Sequence, residues 1–193
     1  ALCGYNDIAE FLIRAGSDIN MKDRWGCTAL IHTAADGDVE MVRLLIGRGA
    51  ALDMQCRGKY TALIEASRYN YLDIVKLLLD HGANIDMQAE MGLSALMCAA
   101  QEGFYDIAQL LLDRGVDIDM QTRGGRTALM FASEAGGIEV VRLLLARGAN
   151  ALVQTRSRFA QTALKLAERH RHPEIVQMLH EHIERVQMTQ EDR

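Results

Sequence analysis

The sequence predicts an all-α fold built from repeated pairs of helices. A triplet of Thr or Ser followed by Ala and Leu recurs at intervals of 33, 33, 33 and 35 residues. Its copies begin at Thr28, Thr61, Ser94, Thr127 and Thr162. A fixed period of this size is typical of stacked repeat units, each of which buries its apolar face against its neighbours. We therefore expect one array of units without a single central core.

Each unit is predicted to contain a first and a second helix joined by a tight turn. In residues 23–55, the Thr28 hydroxyl can cap the first helix, and Gly37 permits a left-handed turn before the second. Gly49 is positioned to end the second helix. That helix is apolar on almost every side, so neighbouring units must cover it. Its solvent positions are Glu40, Arg43 and Arg48.

The period divides the chain into one repeat domain over residues 1–188 and a tail over 189–193. The expected units are a partial repeat at 1–22, complete repeats at 23–55, 56–88, 89–121 and 122–154, and a capping repeat at 155–188. Asn70 and Arg171 replace the turn glycine in two units, and Ile183 stands where a terminating glycine would be. Asn tolerates the left-handed conformation, so its turn should survive. We expect the last helix to run on, with Leu179, Ile183 and Val186 as its apolar stripe.

The chain opens in the middle of a unit, because Gly4 and Gly16 align with the turn and terminating glycines of the next one. We therefore expect natural sequence to precede Ala1. Since each repeat is held only by its neighbours, the half unit should open more readily than the middle units. Amide hydrogen exchange should be faster in Ile8 to Ala15 than in Leu110 to Leu112.

The period, the Thr-Ala-Leu opening and the glycine that ends each unit resemble the ankyrin repeat. The resemblance covers nearly the whole chain and implies a solenoid of helix-turn-helix units joined by β-hairpin-like loops. Ala29 and its counterparts replace the proline of the family signature, which leaves the fold unaffected because Ala is an excellent helix former. Asn20 lies in a context similar to the ankyrin sites used by asparagine hydroxylases.

Composition and motifs exclude several classes of function. The formal net charge of -5 argues against a general nucleic-acid binder, and phosphate-loop, nucleophile-elbow and dinucleotide motifs are absent from the sequence. The four cysteines are spaced 24, 29 and 42 residues apart, which matches neither a zinc ribbon nor a redox motif. We therefore expect no catalytic residues, no cofactor and no metal site. The histidines near the C-terminus fit a solvated cap better than a metal site: His170, His172, His180 and His182.

The sequence also predicts where the protein acts. Unpaired thiols and the lack of a membrane-length apolar run or a leader in this sequence indicate an intracellular, cytoplasmic protein, with the nucleus as an alternative. We expect a monomer. The methionines that recur at one repeat position favour packing between repeats over an adaptable ligand surface. They are Met21, Met54, Met87 and Met120.

In the family that the sequence resembles, ligands usually meet the loop before each first helix and the exposed side of that helix. We call these loops the tips: residues 23–27, 56–60, 89–93, 122–126 and 155–161. Here they are rich in arginine and aromatic residues, which are enriched at binding hot spots. The predicted partner-binding residues are Arg24, Trp25, Arg57, Tyr60, Arg68, Tyr69, Met91, Leu93, Glu102, Arg123 and Arg126.

The function expected from this sequence is a non-catalytic interaction module that binds another protein or an extended peptide with apolar and acidic residues. The tips and the concave face formed by the first helices would bind it, with the tips of the first two complete repeats at the centre. Two alternatives remain open. The module could be the recruiting arm of a larger enzyme, ligase adaptor, effector or channel, or the tip arginines could bind a small anionic ligand or an oligonucleotide.

Overall fold

The computed structural model describes residues 15–191, and the side chains of residues 15–188. Within this range the chain forms ten α-helices and no extended strand. The helices are α1 Ala29–Asp36, α2 Val39–Gly47, α3 Ala62–Arg68, α4 Leu72–Asp80, α5 Ala95–Glu102, α6 Tyr105–Asp113, α7 Ala128–Ala135, α8 Ile138–Ala146, α9 Ala163–Arg169 and α10 Pro173–Glu191. A short 3-10 turn spans Glu90–Gly92. Most of the partial repeat expected at 1–22, including Cys3, Gly4 and nearly all of Ile8 to Ala15, lies outside the described residues.

The chain divides into two compact units, Ala1–Glu90 and Met91–Arg193. In the first unit, α1 packs against α2 and α3, and α4 packs against α2 and α3. In the second unit, the first helices α5, α7 and α9 stack in order, and so do the second helices α6, α8 and α10. Each expected complete repeat and the capping repeat contribute one such pair of helices. The predicted all-α helical-repeat fold is therefore confirmed within each unit.

Hydroxyl groups begin every first helix in the described range. The Thr28 side chain accepts a hydrogen bond from the backbone N–H of Ile31 at 3.4 Å, and the Thr61 side chain accepts one from Ile64 at 3.3 Å. The same bond forms at 3.2 to 3.4 Å in the other three pairs, with Ser94, Thr127 and Thr162 as the acceptors. Such a cap is worth about 1 kcal/mol. The caps predicted from the recurring triplet are confirmed.

The turns between the helices of a pair are left-handed. Gly37 has a φ of 80°, and Asn70 takes the same conformation with a φ of 63°, as predicted. Arg171 does so too, at 60°, although it carries a Cβ. A side chain at Gly37 would also meet a neighbour, because an added Cβ would lie 2.4 Å from the ring of Tyr71. Stacking of the next repeat thus adds a packing requirement to the conformational one.

The core of each unit lies between its two layers of helices. In the first unit, Leu30, Leu63, Ile74 and Leu78 are each no more than 2% exposed. Burying one such side chain contributes about 1.5–3 kcal/mol. Glu40 and Arg43 on α2, and Arg48 directly after it, are exposed, as the sequence predicts. The methionines of the recurring position are half-buried at Met54, Met87 and Met120, whereas Met21 is 67% exposed.

The last helix is longer than any other helix in the described range. Without a glycine at the position of Ile183, α10 continues for 19 residues to Glu191. It therefore extends past residue 189, where the sequence predicted a tail. Leu179 is fully buried, and Ile183 and Val186 are half-buried, which is the predicted apolar stripe.

Candidate partner-binding surface

Hydrogen bonds within the first two tips fold them into closed loops. In the first complete repeat, the Asp23 backbone N–H donates to the Cys27 carbonyl at 3.0 Å. One carboxylate oxygen of Asp23 also accepts from the backbone N–H groups of Trp25 and Cys27, both at 2.9 Å. The next tip closes in the same way, because the Cys56 backbone N–H donates a hydrogen bond to the Tyr60 carbonyl at 3.1 Å. Each of these two tips is therefore held in shape by hydrogen bonds between its own residues.

Neighbouring tips are joined by a backbone ladder within each unit. In the first unit, Arg57 N–H donates to the Trp25 carbonyl at 3.0 Å, and Glu90 N–H donates to the Gly58 carbonyl at 2.8 Å. In the second unit, the equivalent donors are Arg123, to Met91 at 2.9 Å, and Arg156, to Gly124 at 2.8 Å. Each partner lies one repeat away. Residues at the same repeat position therefore become lateral neighbours.

The first tip presents an aromatic ring stacked with an arginine. The guanidinium carbon of Arg24 lies 3.8 Å from the centre of the Trp25 ring, and Trp25 is 51% exposed. Contacts of this kind contribute about 0.5–1 kcal/mol at exposed sites. Stacking uses the face of the guanidinium and none of its N–H donors. The pair therefore offers an apolar surface beside a group suited to carboxylates.

A second aromatic and arginine cluster lies on the next repeat. The guanidinium carbon of Arg68 lies 5.7 Å from the Tyr60 ring centre and 5.4 Å from that of Tyr69. Tyr60 comes from the tip, whereas Arg68 ends α3 and Tyr69 follows it. Tyr69 is 46% exposed, and its ring lies 6.5 Å from that of Tyr71. The structure thus brings Tyr60 together with Arg68 and Tyr69, two predicted binding residues that lie eight and nine positions further along the chain.

The predicted residues of the second unit are less uniform. Met91 is 60% exposed and adopts a left-handed conformation with a φ of 65°. Arg123 and Glu102 are exposed, and Leu93 is half-buried. The Glu102 carboxylate accepts a hydrogen bond from Gln101 at 3.2 Å. Their roles in binding stay predictions.

These tips, caps and paired helices recur with the spacing that defines a family of repeats. The family model for ankyrin repeats matches residues 1–89 and 96–192. This chain belongs to the ankyrin-repeat family. A comparison with curated protein sequences gave no match. Ankyrin repeats are generally protein–protein interaction modules and are typically non-catalytic. Among the described residues, no helix has an apolar stretch long enough to cross a membrane.

One predicted ankyrin tip residue, Arg126, is held by neighbours in its own unit. Its guanidinium pairs with the Glu134 carboxylate, and its central carbon lies 4.1 Å from the Phe131 ring centre. Glu134 also meets His170, with Nε2 and Oε1 3.3 Å apart. These contacts leave Arg126 half-buried. A partner would reach it only at its remaining exposed edge.

The sequence did not predict that the residues around the Arg126–Glu134 ion pair lie together. A cavity of about 350 Å³ in the second unit is lined by Gly124, Arg126, Glu134, Thr155, Ser157, Phe159, Gln161, Leu166 and Arg169. Phe159, in the longer tip of the capping repeat, is 74% exposed. The two extra residues in that tip were the available signal. The longer tip places the Phe159 ring at the cavity that Arg126 and Glu134 also line.

Proposed function

We propose that this ankyrin-repeat chain is a non-catalytic module that binds an extended peptide segment of a partner protein. The segment carries apolar side chains next to an acidic group. The centre of the site is the aromatic and arginine surface of the first unit, formed by Arg24, Trp25, Tyr60, Arg68 and Tyr69. The exposed sides of the first helices of the same unit extend it.

The observation that carries this proposal is the pairing of exposed aromatic rings with arginines. Trp25 and Tyr69 are each about half exposed, at 51% and 46%, on a chain with only 5% aromatic residues. Large rings in water contribute little to folding, whereas Trp, Tyr and Arg dominate binding hot spots. The stacked guanidiniums of Arg24 and Arg68 keep donors for carboxylates. Apolar and acidic groups on a partner match both features.

Preorganisation of the tips supports the same function. The Asp23 carboxylate fixes the backbone of Trp25, and the ladder from Arg57 fixes the next tip against it. Ordering a loop on binding reduces affinity, so a loop that is already ordered loses less. When this surface binds a flexible peptide, only the peptide therefore loses conformational freedom.

Selection from a displayed library of extended peptides tests the proposal. We expect recovered sequences to combine aromatic or aliphatic residues with Asp or Glu. Trp25→Ala and Tyr60→Ala should each weaken binding by about 30-fold, the equivalent of about 2 kcal/mol for a hot-spot residue. Tyr105→Ala is the matched control, because Tyr105 is 39% exposed but lies on a second helix.

The outcome against this proposal is unchanged peptide affinity in Trp25→Ala and Tyr60→Ala together with a loss of folding stability. In that case the aromatic rings serve packing between repeats. Unfolding in urea, measured on the same variants, separates the two explanations.

The alternative of an anionic ligand rests on four arginines at one repeat position. Arg24, Arg57, Arg123 and Arg156 all occupy it and are all exposed. Binding through several phosphate contacts falls steeply with salt, by about 0.7–0.9 decades of affinity per contact for each decade of salt. Peptide binding through aromatic anchors should change little. A salt titration of the selected ligand therefore discriminates the two functions.

A further inference from the structure

Three side chains with different metal-binding groups converge at the first tip. His32 Nε2 lies 2.9 Å from Asp23 Oδ2, and the ligand atoms of Asp23, Cys27 and His32 all lie within 4.8 Å of one another. Asp23 and His32 are exposed and Cys27 is half-buried, so the cluster is open to solvent on one side. An ion could enter without unfolding the repeat.

A second thiol belongs to the neighbouring repeat but lies outside this cluster. Cys56 occupies the same repeat position as Asp23. It is half-buried, as Cys27 is, and neither residue forms a disulfide. The Cys56 sulfur is not among the ligand atoms that lie within 4.8 Å of one another. The cluster therefore consists of one carboxylate, one thiol and one imidazole.

The fold itself does not need all of these groups. In the fourth complete repeat, Thr122 takes the place of Asp23, and its hydroxyl accepts from the Arg126 backbone N–H at 3.0 Å. This bond matches the one between Asp23 Oδ1 and Cys27 N–H. A single hydroxyl thus closes the tip. The second carboxylate oxygen of Asp23, which faces His32, is additional to that structural role.

This set of ligands occurs in only one of the four complete repeats, residues 23–55. The position of Cys27 is taken by Tyr60, Leu93 and Arg126 in the other three. The position of His32 is taken by Glu65, Cys98 and Phe131. Repeat stacking alone therefore does not explain why Asp, Cys and His meet here.

We propose that this cluster is a Zn²⁺ site with Asp23 Oδ2, Cys27 Sγ and His32 Nε2 as its three protein ligands and water as the fourth. Sulfur, imidazole and carboxylate groups are ligands that zinc binds in proteins, and three of them leave one tetrahedral position open. Tetrahedral Zn²⁺ separates N and O ligands by about 3.3 Å and N and S ligands by about 3.6 Å, as calculated from its bond lengths. His32 and Asp23 need to part by only a few tenths of an ångström to admit it.

Bound zinc would join the first tip to α1. Cys27 would bind as a thiolate and release its proton to water, while His32 would bind through Nε2 and keep its ring proton on Nδ1. The metal would tie residues 23 and 27 to residue 32 and hold the loop that carries Trp25. This site departs from the sequence-based expectation of no metal, because its ligands are spaced four and five residues apart and match no short zinc motif.

Titration of the full chain with Co²⁺ under reducing conditions tests the site. Tetrahedral Co²⁺ absorbs in the visible range, and thiolate ligands add an ultraviolet charge-transfer band. We expect both bands to saturate at one equivalent and to disappear when Zn²⁺ is added. Removing a group that only hydrogen-bonds to a metal ligand weakens metal affinity by about 10–100-fold. Removing a ligand itself, by Cys27→Ser or His32→Gln, should therefore weaken Co²⁺ binding by at least about 100-fold.

Matched variants make the result specific. Asp23→Asn should weaken binding while preserving the oxygen that closes the tip. Cys3→Ser, Cys56→Ser, Cys98→Ser and His180→Gln should leave the spectrum unchanged, and circular dichroism should show every variant folded. An absent charge-transfer band, or one that survives Cys27→Ser or His32→Gln, overturns the proposal. A charge-transfer band that is lost in Cys56→Ser overturns the three-ligand set.

Discussion

Gly37→Ala tests how one repeat constrains the turn of its neighbour. Gly37 sits between α1 and α2 with a φ of 80°, and Tyr71, which precedes α4, covers it. An added Cβ would lie 2.4 Å from Cε1 and 2.5 Å from Cζ of that ring. Atoms do not approach so closely, so the ring or the backbone must move. Two separate penalties therefore act at this position.

The magnitude follows from adding the two penalties. A residue with a Cβ in the left-handed conformation costs about 1–2 kcal/mol, and overpacking in a well-packed region costs about 1–3 kcal/mol. We expect Gly37→Ala to lower the free energy of unfolding by about 2–5 kcal/mol. Gly103 is the matched control, because it has a φ of 74° at the same repeat position but no neighbour within 4 Å of an added Cβ. Gly103→Ala should therefore lose only about 1–2 kcal/mol.

Urea unfolding followed by circular dichroism measures both variants. A double-mutant cycle with Tyr71→Ala isolates the contact, since removal of the ring should relieve Gly37→Ala by about 1–3 kcal/mol. Equal losses at Gly37 and Gly103, or a cycle with no coupling energy, would refute the reasoning. The turn would then be limited by its conformation alone.

Three further predictions concern stability. Thr61→Ala removes the cap of α3 and should lower the free energy of unfolding by about 1 kcal/mol, whereas Thr61→Ser should retain most of it. Burial raises the pKa of Glu65, although Arg68 partly offsets this, so folding disfavours its charged form. The protonated form of Glu65 therefore contributes stability that is fully present below the ordinary glutamate pKa of about 4.3. This contribution is lost as the pH rises through the pKa of Glu65 in the folded protein. Glu65→Gln should consequently be more stable than wild type at pH 7, and the difference should vanish below about pH 4 in unfolding curves. Arg126→Met removes the contacts with Glu134 and the Phe131 ring and should lower the free energy of unfolding by about 1–2 kcal/mol. Arg142→Met, at an exposed ion pair, should lower it by less than about 0.5 kcal/mol. Equal losses in the two variants would show that the Arg126 contacts do not stabilise the fold.

Local signals allowed much of the fold to be predicted from sequence. A hydroxyl before an Ala and Leu pair caps a helix through its own backbone, so Thr28 and Thr61 could be assigned without any tertiary information. Asn70 was predicted to take the place of glycine because its left-handed tendency is also local. These features depend on residues a few positions apart.

Contacts between repeats account for what the sequence did not predict. Tyr71 lies over Gly37 from the neighbouring repeat, where the choice of partner depends on rotamers and on stacking. The pairing of Arg126 with Glu134 likewise joins a tip to the helix that follows it. Sequence placed Arg126 on the binding surface by its position in the repeat. It gave no sign that an acid would compete for the guanidinium.

The fluorescence of Trp25 tests the proposed binding surface most directly, because this is the only tryptophan in the chain. Trp25 is 51% exposed, so its emission should shift to shorter wavelength when a tryptophan-free peptide covers it. The account predicts a shift that saturates with one selected peptide per chain and that Tyr105→Ala leaves unchanged. Emission that stays constant while the peptide is shown to bind by an independent method would place the binding site elsewhere and contradict the account.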